Sequence, residues 1–453
     1  MKRDHSMAWK HLLSGRRLGR EAAAPTVRTS RTLFQQDYDR IIFSSAFRRM
    51  QDKTQVFPLA ESDYVRTRLT HSLEVSCVAR SLGTMAGEVL FERYRPDGLA
   101  PQDIGAIAAA AALAHDIGNP PFGHAGEDAI RLWFRESPWA QRFREGFNAT
   151  QQAEFDRFEG NAQGFRILVR GEAFGGPGGM QLTAAVLGAF GKYPRSAGPA
   201  QCEQAASQRK HGFFEADASW FAEVAAATGL IPQVPGQLWC RHPLAFLVEA
   251  ADDICYLVVD FEDGFRQGCL SLDEVEGWLF PLCRNPHEVK ARLLRSQSPP
   301  ERVSLLRAQA IDGLIQAVNE AFLALEPEIR DGTFDRELLD EVPARATLDE
   351  IRRIALARVY TAPAVMQIES AGYEVVYGLL DGFAAAVWTV LENGQPSPRY
   401  RSLWQLLPAD FKSTRDSYQG LLGVTDYVSG MTDSFAVSLY RRLKGIALPG
   451  LNF

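Results

Sequence analysis

One stretch limits the folds open to this 453-residue chain more than any other. An alanine-rich run from Ile104 to Ala114 leads into His115-Asp116-Ile117-Gly118-Asn119-Pro120-Pro121-Phe122-Gly123-His124-Ala125-Gly126-Glu127. Consecutive prolines stop a helix, because proline lacks the N–H and disfavours helical geometry in the residue before it. The pattern predicts a helix over 104–116 with His115 and Asp116 at its C-terminal end, and an amphipathic helix from near Gly123 to about Arg135. Pro-Pro fixes the entry angle of that second helix, and Glu127 suits a first turn where the dipole favours negative charge. His124 and Glu127, three apart, share a face. Two polar clusters at one bend between apolar helices predict a site.

The rest of the chain reads as helices with few strand signals. Asp37 to Met50 puts Ile42, Ala46, Phe47 and Met50 on one stripe, and Thr67 to Gly83 carries His71 with Arg68 three residues before it. Lys53 to Leu59 reads as a loop or short extended piece. Phe155 to Arg170 and Gln181 to Gly191 are predicted helices separated by the Gly-Gly-Pro-Gly-Gly turn at 175–179. Arg195 to Lys210, polar and rich in Gly, Pro and Ser, is predicted as an exposed loop or short hairpin. Pro243 to Phe261 is a strongly apolar helix that nevertheless repeats Asp252, Tyr256 and Asp260 at i, i+4 and i+8. Carboxylates are rarely buried without a partner. The expected class is all-α, organised as a basic, flexible tail (1–30), a helical core (31–280) and a helical C-terminal region packed on it (281–453).

The net charge of −6 excludes a uniformly basic nucleic-acid binder. The first thirty-odd residues are locally basic but lack the apolar core of a signal peptide, and they read as a solvated tail, with a phosphate or nucleic-acid contact as the alternative. No apolar run, Ile104–Ala114 included, reaches the roughly 18 residues that span a bilayer, so no membrane partner is expected. Six scattered cysteines without a CxxC pair suit a reducing cytoplasm.

His71, His115, Asp116 and Asp252 come from three predicted helices. Imidazole and carboxylate without thiolate suit Mn²⁺, Mg²⁺, Fe²⁺ or Ni²⁺ better than structural Zn²⁺. A His-Asp dipeptide alone is weak; the company of a preceding His on its own helix and a later Asp inside an apolar one makes a metal site the expectation.

These residues resemble the HD-domain phosphohydrolases, and within them the deoxyguanosine triphosphate triphosphohydrolases. The resemblance rests on Arg68-Leu-Thr-His71-Ser-Leu-Glu-Val, the His115-to-Glu127 stretch, Phe158-Glu-Gly-Asn161-Ala-Gln-Gly-Phe-Arg-Ile and Glu249-Ala-Ala-Asp252-Asp253-Ile-Cys-Tyr256. Lys53-Thr-Gln55-Val-Phe and Gly-Ala-Phe-Gly-Lys192-Tyr193-Pro194 add to it, and together the blocks span about Arg31 to Gly264. The resemblance implies an HD helical core with added N- and C-terminal helices. It implies metal ligands at His71, His115, Asp116 and Asp252, a divalent cation (Mn²⁺ or Mg²⁺, with Fe²⁺, Ni²⁺ or Zn²⁺ as alternatives), and a catalytic His124 with Glu127 as its partner. Phosphate contacts fall on Arg68 and Lys192, and sugar contacts on Gln55, Tyr256 and Asp260. Asn119, Glu159 and Asn161 are expected near the phosphates and Asp253 behind the site.

The activity so implied is hydrolysis of a deoxynucleoside triphosphate, dGTP first, to deoxynucleoside and tripolyphosphate. Homo-oligomers such as hexamers, and single-stranded DNA, are the family's other partners. Two readings compete: a nucleotidase or phosphodiesterase on another phosphate ester, and a non-catalytic single-strand DNA-binding regulator. The Tyr256 and Gln55 blocks argue against the first. The complete set of His71, His115, Asp116, Asp252 and His124 argues against the second.

Overall fold

The structure is a computed structural model. It describes residues 6–20, 31–56, 65–171, 177–198, 202, 204–296, 298–409, 412 and 416–446. Among these residues the protein is built from helices, with one two-stranded antiparallel sheet in which Pro232–Val234 pairs with Leu238–Trp239. The sheet lies in a stretch whose sequence shows no period-2 alternation long enough to announce it.

Two long helices form the centre. Arg68–Tyr94 begins at an N-cap where the Thr67 hydroxyl accepts the Thr70 N–H, and it packs along Pro101–Ala114, whose first residue is the proline favoured at that position. From Ile107 to Ala114 the second helix is buried on every side, and that is why alanine dominates it. Small side chains let the backbones close: a Cβ on Gly105 would stand 2.2 Å from the Thr84 hydroxyl, and one on Gly83 2.9 Å from the Gly105 Cα. Pro243–Arg266 and Pro299–Arg330 complete this core, with Leu247, Ile254, Val258, Leu314, Val318 and Phe322 fully buried.

A second core joins the middle of the chain to its C-terminal part. His124–Glu136 sets Ile130, Trp133 and Phe134 against Val376, Leu379, Leu380 and Phe383 of Pro363–Asn393 and against Leu421 and Leu422 of Ser417–Ser429. The segment Val365–Asn393 is long and apolar enough to cross a membrane by composition (mean hydropathy 1.4 over its most apolar 18 residues), but 56% of that window is buried inside the fold, as befits a core helix.

Several expectations are corrected. The N-terminal segment is not a loose tail where it is described: Met7, Trp9, Leu12, Leu13 and Leu18 are buried, and the Trp9 indole donates to Glu326 at 2.7 Å. Arg17 pairs with buried Asp37 and also donates to the Gln181 carbonyl. The tail's basic residues masked its apolar ones. Residues 1–5 and 21–30 lie outside the described residues.

The helix expected over Asp37–Met50 is two, Leu33–Ile42 and Ser45–Arg49, because the Ser44 hydroxyl caps a new start by accepting the Phe47 N–H. The one expected over Phe155–Arg170 breaks into Ala149–Asp156 and Gly160–Arg170. Arg195–Lys210 is not simply an exposed loop: Arg195, Ala206, Ser207 and Gln208 are buried. Residues 175–176 of the expected glycine turn and 57–59 of the piece that starts at Lys53 lie outside the described residues.

Candidate active site

The helix Pro101–Ala114 ends at His115, and the chain bends through Pro120-Pro121 before His124–Glu136 begins. Phe122 takes a left-handed conformation (φ 63°), unusual for a bulky residue. Its N–H is held at 2.9 Å by the carboxylate of Asp433, from the last helix. Gly123 also has positive φ, and a Cβ there would stand 2.5 Å from the Arg68 guanidinium, so glycine is required for Arg68 to lie against the bend.

This bend, the start of Arg68–Tyr94 and the middle of Pro243–Arg266 surround a cavity of about 490 Å³, within the usual range for small-molecule sites. The His115 Nδ1–H donates to the Ala112 carbonyl (2.7 Å), which turns Nε2 inward. There Nε2 lies 3.5 Å from both Asp116 Oδ1 and Asp252 Oδ1 and, though buried, makes no hydrogen bond of ordinary length among the described residues. His71 Nε2 is 3.1 Å from Asp252 Oδ1. Ligand atoms of His71, His115 and Asp116 lie within 4.8 Å of one another, and Asp252 closes the group.

A buried imidazole nitrogen without a partner, two carboxylates and a second imidazole form a donor set that fits a divalent cation. Burial opposes ionisation of Asp116, yet Arg68, His115 and His71 outweigh it and hold the carboxyl at about 2. Asp252 is likewise held low against burial by the same two histidines.

Arg68 bonds Asp116 Oδ2 at 2.6 Å, and Asn119 donates to Oδ1 at 2.6 Å. His124 stands at the head of its helix with its side chain 82% exposed, its Nδ1 donating to Glu127 Oε2 at 2.9 Å. Glu127 is itself buried and accepts the Gly160 N–H at 2.6 Å. Burial pushes this carboxyl up, but the bond from His124, the charges of His124 and Lys210 and the Gly160 N–H bring it to about 2. The imidazole is thus oriented by a fixed anion. Lys192 Nζ lies 3.4 Å from Glu249, which Arg241 also binds at 2.7 Å.

Gln55, Arg68, His115, Asp116, His124, Glu127, Lys192, Asp252 and Tyr256 all line the cavity, as do Asn119, Asn161 and Asp253. His71 is buried beside His115 and Asp252 and does not itself line the cavity. Asp260 does not line the cavity: its carboxyl receives the Tyr360 hydroxyl (2.5 Å), and burial pushes it up to about 8. Tyr360 stands in the wall instead, its ring stacked on Tyr256 (centroids 5.4 Å apart, 18° between planes).

Sequence reasoning missed Tyr360 and Lys210, both of which line the cavity. Tyr360 follows a π-turn at Ala355–Val359 with no motif around it, and Lys210 belongs to the polar stretch read as a loop. It also missed Lys53, whose ammonium is buried and donates to the carbonyls of Asn119 (2.6 Å) and Ser429 (2.8 Å).

Residues 68–161 match the HD domain, and residues 341–442 match the phosphohydrolase-associated domain. The helical bend and its His-His-Asp cluster are thus those of an HD-domain phosphohydrolase. A protein of Synechocystis sp. named deoxyguanosinetriphosphate triphosphohydrolase-like is 46% identical, over 98% of this chain and 100% of its own length. One of the same name from Pseudomonas aeruginosa is 37% identical over 98% and 100%, and a Salmonella arizonae protein named deoxyguanosinetriphosphate triphosphohydrolase is 32% identical over 91% and 94%. The chain belongs to the deoxyguanosinetriphosphate triphosphohydrolase-like family.

Proposed function

We propose that the protein hydrolyses deoxynucleoside triphosphates to the deoxynucleoside and tripolyphosphate, with dGTP as the first candidate. The observation that carries this reading is the buried Nε2 of His115, without a hydrogen-bond partner among the described residues and set between Asp116 and Asp252 beside His71, in a cavity that also holds cationic and aromatic side chains. Relatives named deoxyguanosinetriphosphate triphosphohydrolase or triphosphohydrolase-like, matched over 94–100% of their own length, support the substrate class.

His71, His115, Asp116 and Asp252 would hold the cation, Mn²⁺ or Mg²⁺ by donor chemistry. When bound, a divalent cation supplies Lewis-acid activation of water and neutralises charge on the phosphoryl oxygens. Arg68 and Lys192, with Lys210, bind the triphosphate oxygens. They are already positioned by Asp116, Glu249 and Glu159, so little side-chain order remains to be imposed. His124 uses the Nε2 that its bond to Glu127 leaves free. It delivers a proton to the departing 5′ oxygen, and the anionic Glu127 stabilises the imidazolium that carries it.

The stacked Tyr256 and Tyr360 rings form the sugar wall, where a 2′-hydroxyl would meet carbon faces without a polar partner. Gln55 reads the 3′-hydroxyl, and Asp260 acts through Tyr360.

The test is turnover of each dNTP by metal-stripped protein before and after adding Mn²⁺ or Mg²⁺. The proposal requires that stripped protein be inactive and that either ion restore hydrolysis. Turnover indifferent to chelation, or hydrolysis of simple phosphomonoesters with none of any dNTP, would defeat it.

A further inference from the structure

A second cavity of about 170 Å³ shares Lys210 with the first. Five cations line it, Arg131, Arg157, Arg195, Arg209 and Lys210, against one carboxylate among the described lining residues, Glu159. Three of the five are matched by acids: Arg131 by Asp128 and Glu159, Lys210 by Glu159 and Arg209 by Glu337.

Among the described residues Arg157, which is exposed, and Arg195, which is buried, are not. Arg157 donates to the Ala197 carbonyl (2.5 Å), and Arg195 to the carbonyls of Ser196 (3.0 Å), Gln208 (2.6 Å) and Gly198. Carbonyls satisfy the N–H groups but leave the charges standing, and Arg195 is only 5% exposed. A buried charge without a counter-ion is costly, and proteins rarely keep one without use.

A second observation points the same way. His211 lines this cavity, is 3% exposed, and its Nε2 makes no hydrogen bond among the described residues. Burial, and then the charges of Arg157, Arg195, Arg131 and Lys210, push its pKa down to about 3, so at neutral pH the ring is an uncharged imidazole available as a donor. The cavity falls below the ~300–1,000 Å³ of ordinary small-molecule sites, which leaves room for an inorganic anion and none for a nucleoside.

We propose that this cavity is an anion site that takes a phosphate group, either orthophosphate or one end of a polyphosphate chain, with Arg157 and Arg195 as counter-charges and the His211 Nε2–H as donor. Guanidinium forks suit phosphate oxygens, and a compact, strongly charged anion is what two arginines with no acid partner among the described residues select.

The test is calorimetric titration of the full-length protein with orthophosphate and, separately, with tripolyphosphate, in the wild type, Arg157→Gln and Arg209→Glu. Arg209, 53% exposed at its side chain, can be reversed without disturbing the core. Binding weakened about tenfold or more in both variants, the loss of one charge-assisted contact, supports the site. A shift of the His211 ¹⁵N resonance on anion addition supports it too. Tighter binding of tripolyphosphate assigns the site to the chain; equal binding assigns it to a single phosphate group. Superimposable isotherms in all three proteins, or no anion binding in the wild type, overturn the proposal.

Discussion

The carboxylate of Asp433 reaches the backbone N–H of Phe122 at 2.9 Å, while its other oxygen accepts the Thr54 N–H at the same distance. A residue of the final helix therefore pins the bend that separates His115 from His124, and the loop carrying Gln55, in one grip. The C-terminal part of the chain is a structural condition of the site. Asp433→Ala leaves two N–H groups without an acceptor, a cost of about 1–3 kcal/mol for each that stays buried. The expected result is a protein destabilised by about 2–4 kcal/mol with a reduced kcat, read from denaturant midpoints and steady-state rates. Unchanged kcat in a folded variant would detach the clamp from the chemistry.

His124 is mostly exposed and makes one side-chain hydrogen bond, to Glu127, so its loss removes little packing. His124→Ala is expected to keep the wild-type melting temperature and to lower kcat by about 10²–10⁴, the usual range for a positioned acid or base. Glu127→Gln should lower kcat as well, since a neutral amide neither fixes the imidazole tautomer nor stabilises its charge. Near-normal kcat for His124→Ala would remove it from the mechanism.

Much of this centre was legible in sequence. Pro120-Pro121 forces the break that leaves His115 at one helix end and His124 at the next start, and an aspartate four residues before a tyrosine in an apolar helix marks Asp252 and Tyr256. What was not legible depends on partners distant in the chain. Trp9 is buried because Glu326, 317 residues away, takes its indole N–H, and nothing local to a basic segment says so. Asp260 has the right spacing for the cavity, yet the Tyr360 ring, one hundred residues later, stands there in its place.

The proposed sugar wall gives the two tyrosines different roles. If the wall works as proposed, Tyr256→Ala should erode discrimination between dNTP and rNTP by about tenfold or more in kcat/KM, because the ring proposed to exclude the extra hydroxyl is gone. Tyr360→Phe keeps the stacked ring and loses the hydroxyl's bonds to Asp260 and Tyr256, so discrimination should stay close to wild type. Competition assays with paired deoxy and ribo substrates check both, and intact discrimination in Tyr256→Ala would refute the wall.

Glu154 offers a pH test outside the site. It is fully buried, accepts the Tyr418 hydroxyl and the Glu215 N–H at 2.5 Å each, and burial raises its pKa from 4.5 to about 8. A carboxyl protonated in the fold and ionised in the unfolded chain stabilises fully below the unfolded value, and that contribution is lost as pH rises through the folded one. Between about pH 4.5 and 8 the wild type should lose a few kcal/mol, on the order of 1–4, that Glu154→Gln retains. Melting temperatures of both proteins across that window measure the difference. Parallel curves would show that Glu154 is ionised in the fold.

The central claim is tested most directly by product identity. The full-length protein, with Mn²⁺ or Mg²⁺, is given the four dNTPs singly and mixed, and nucleoside, tripolyphosphate, pyrophosphate and orthophosphate are resolved by anion exchange and ³¹P NMR. The account predicts deoxynucleoside and tripolyphosphate in equal amounts, with both absent in His115→Ala; nucleoside monophosphate with pyrophosphate, stepwise orthophosphate, or product formation undiminished in His115→Ala would contradict it.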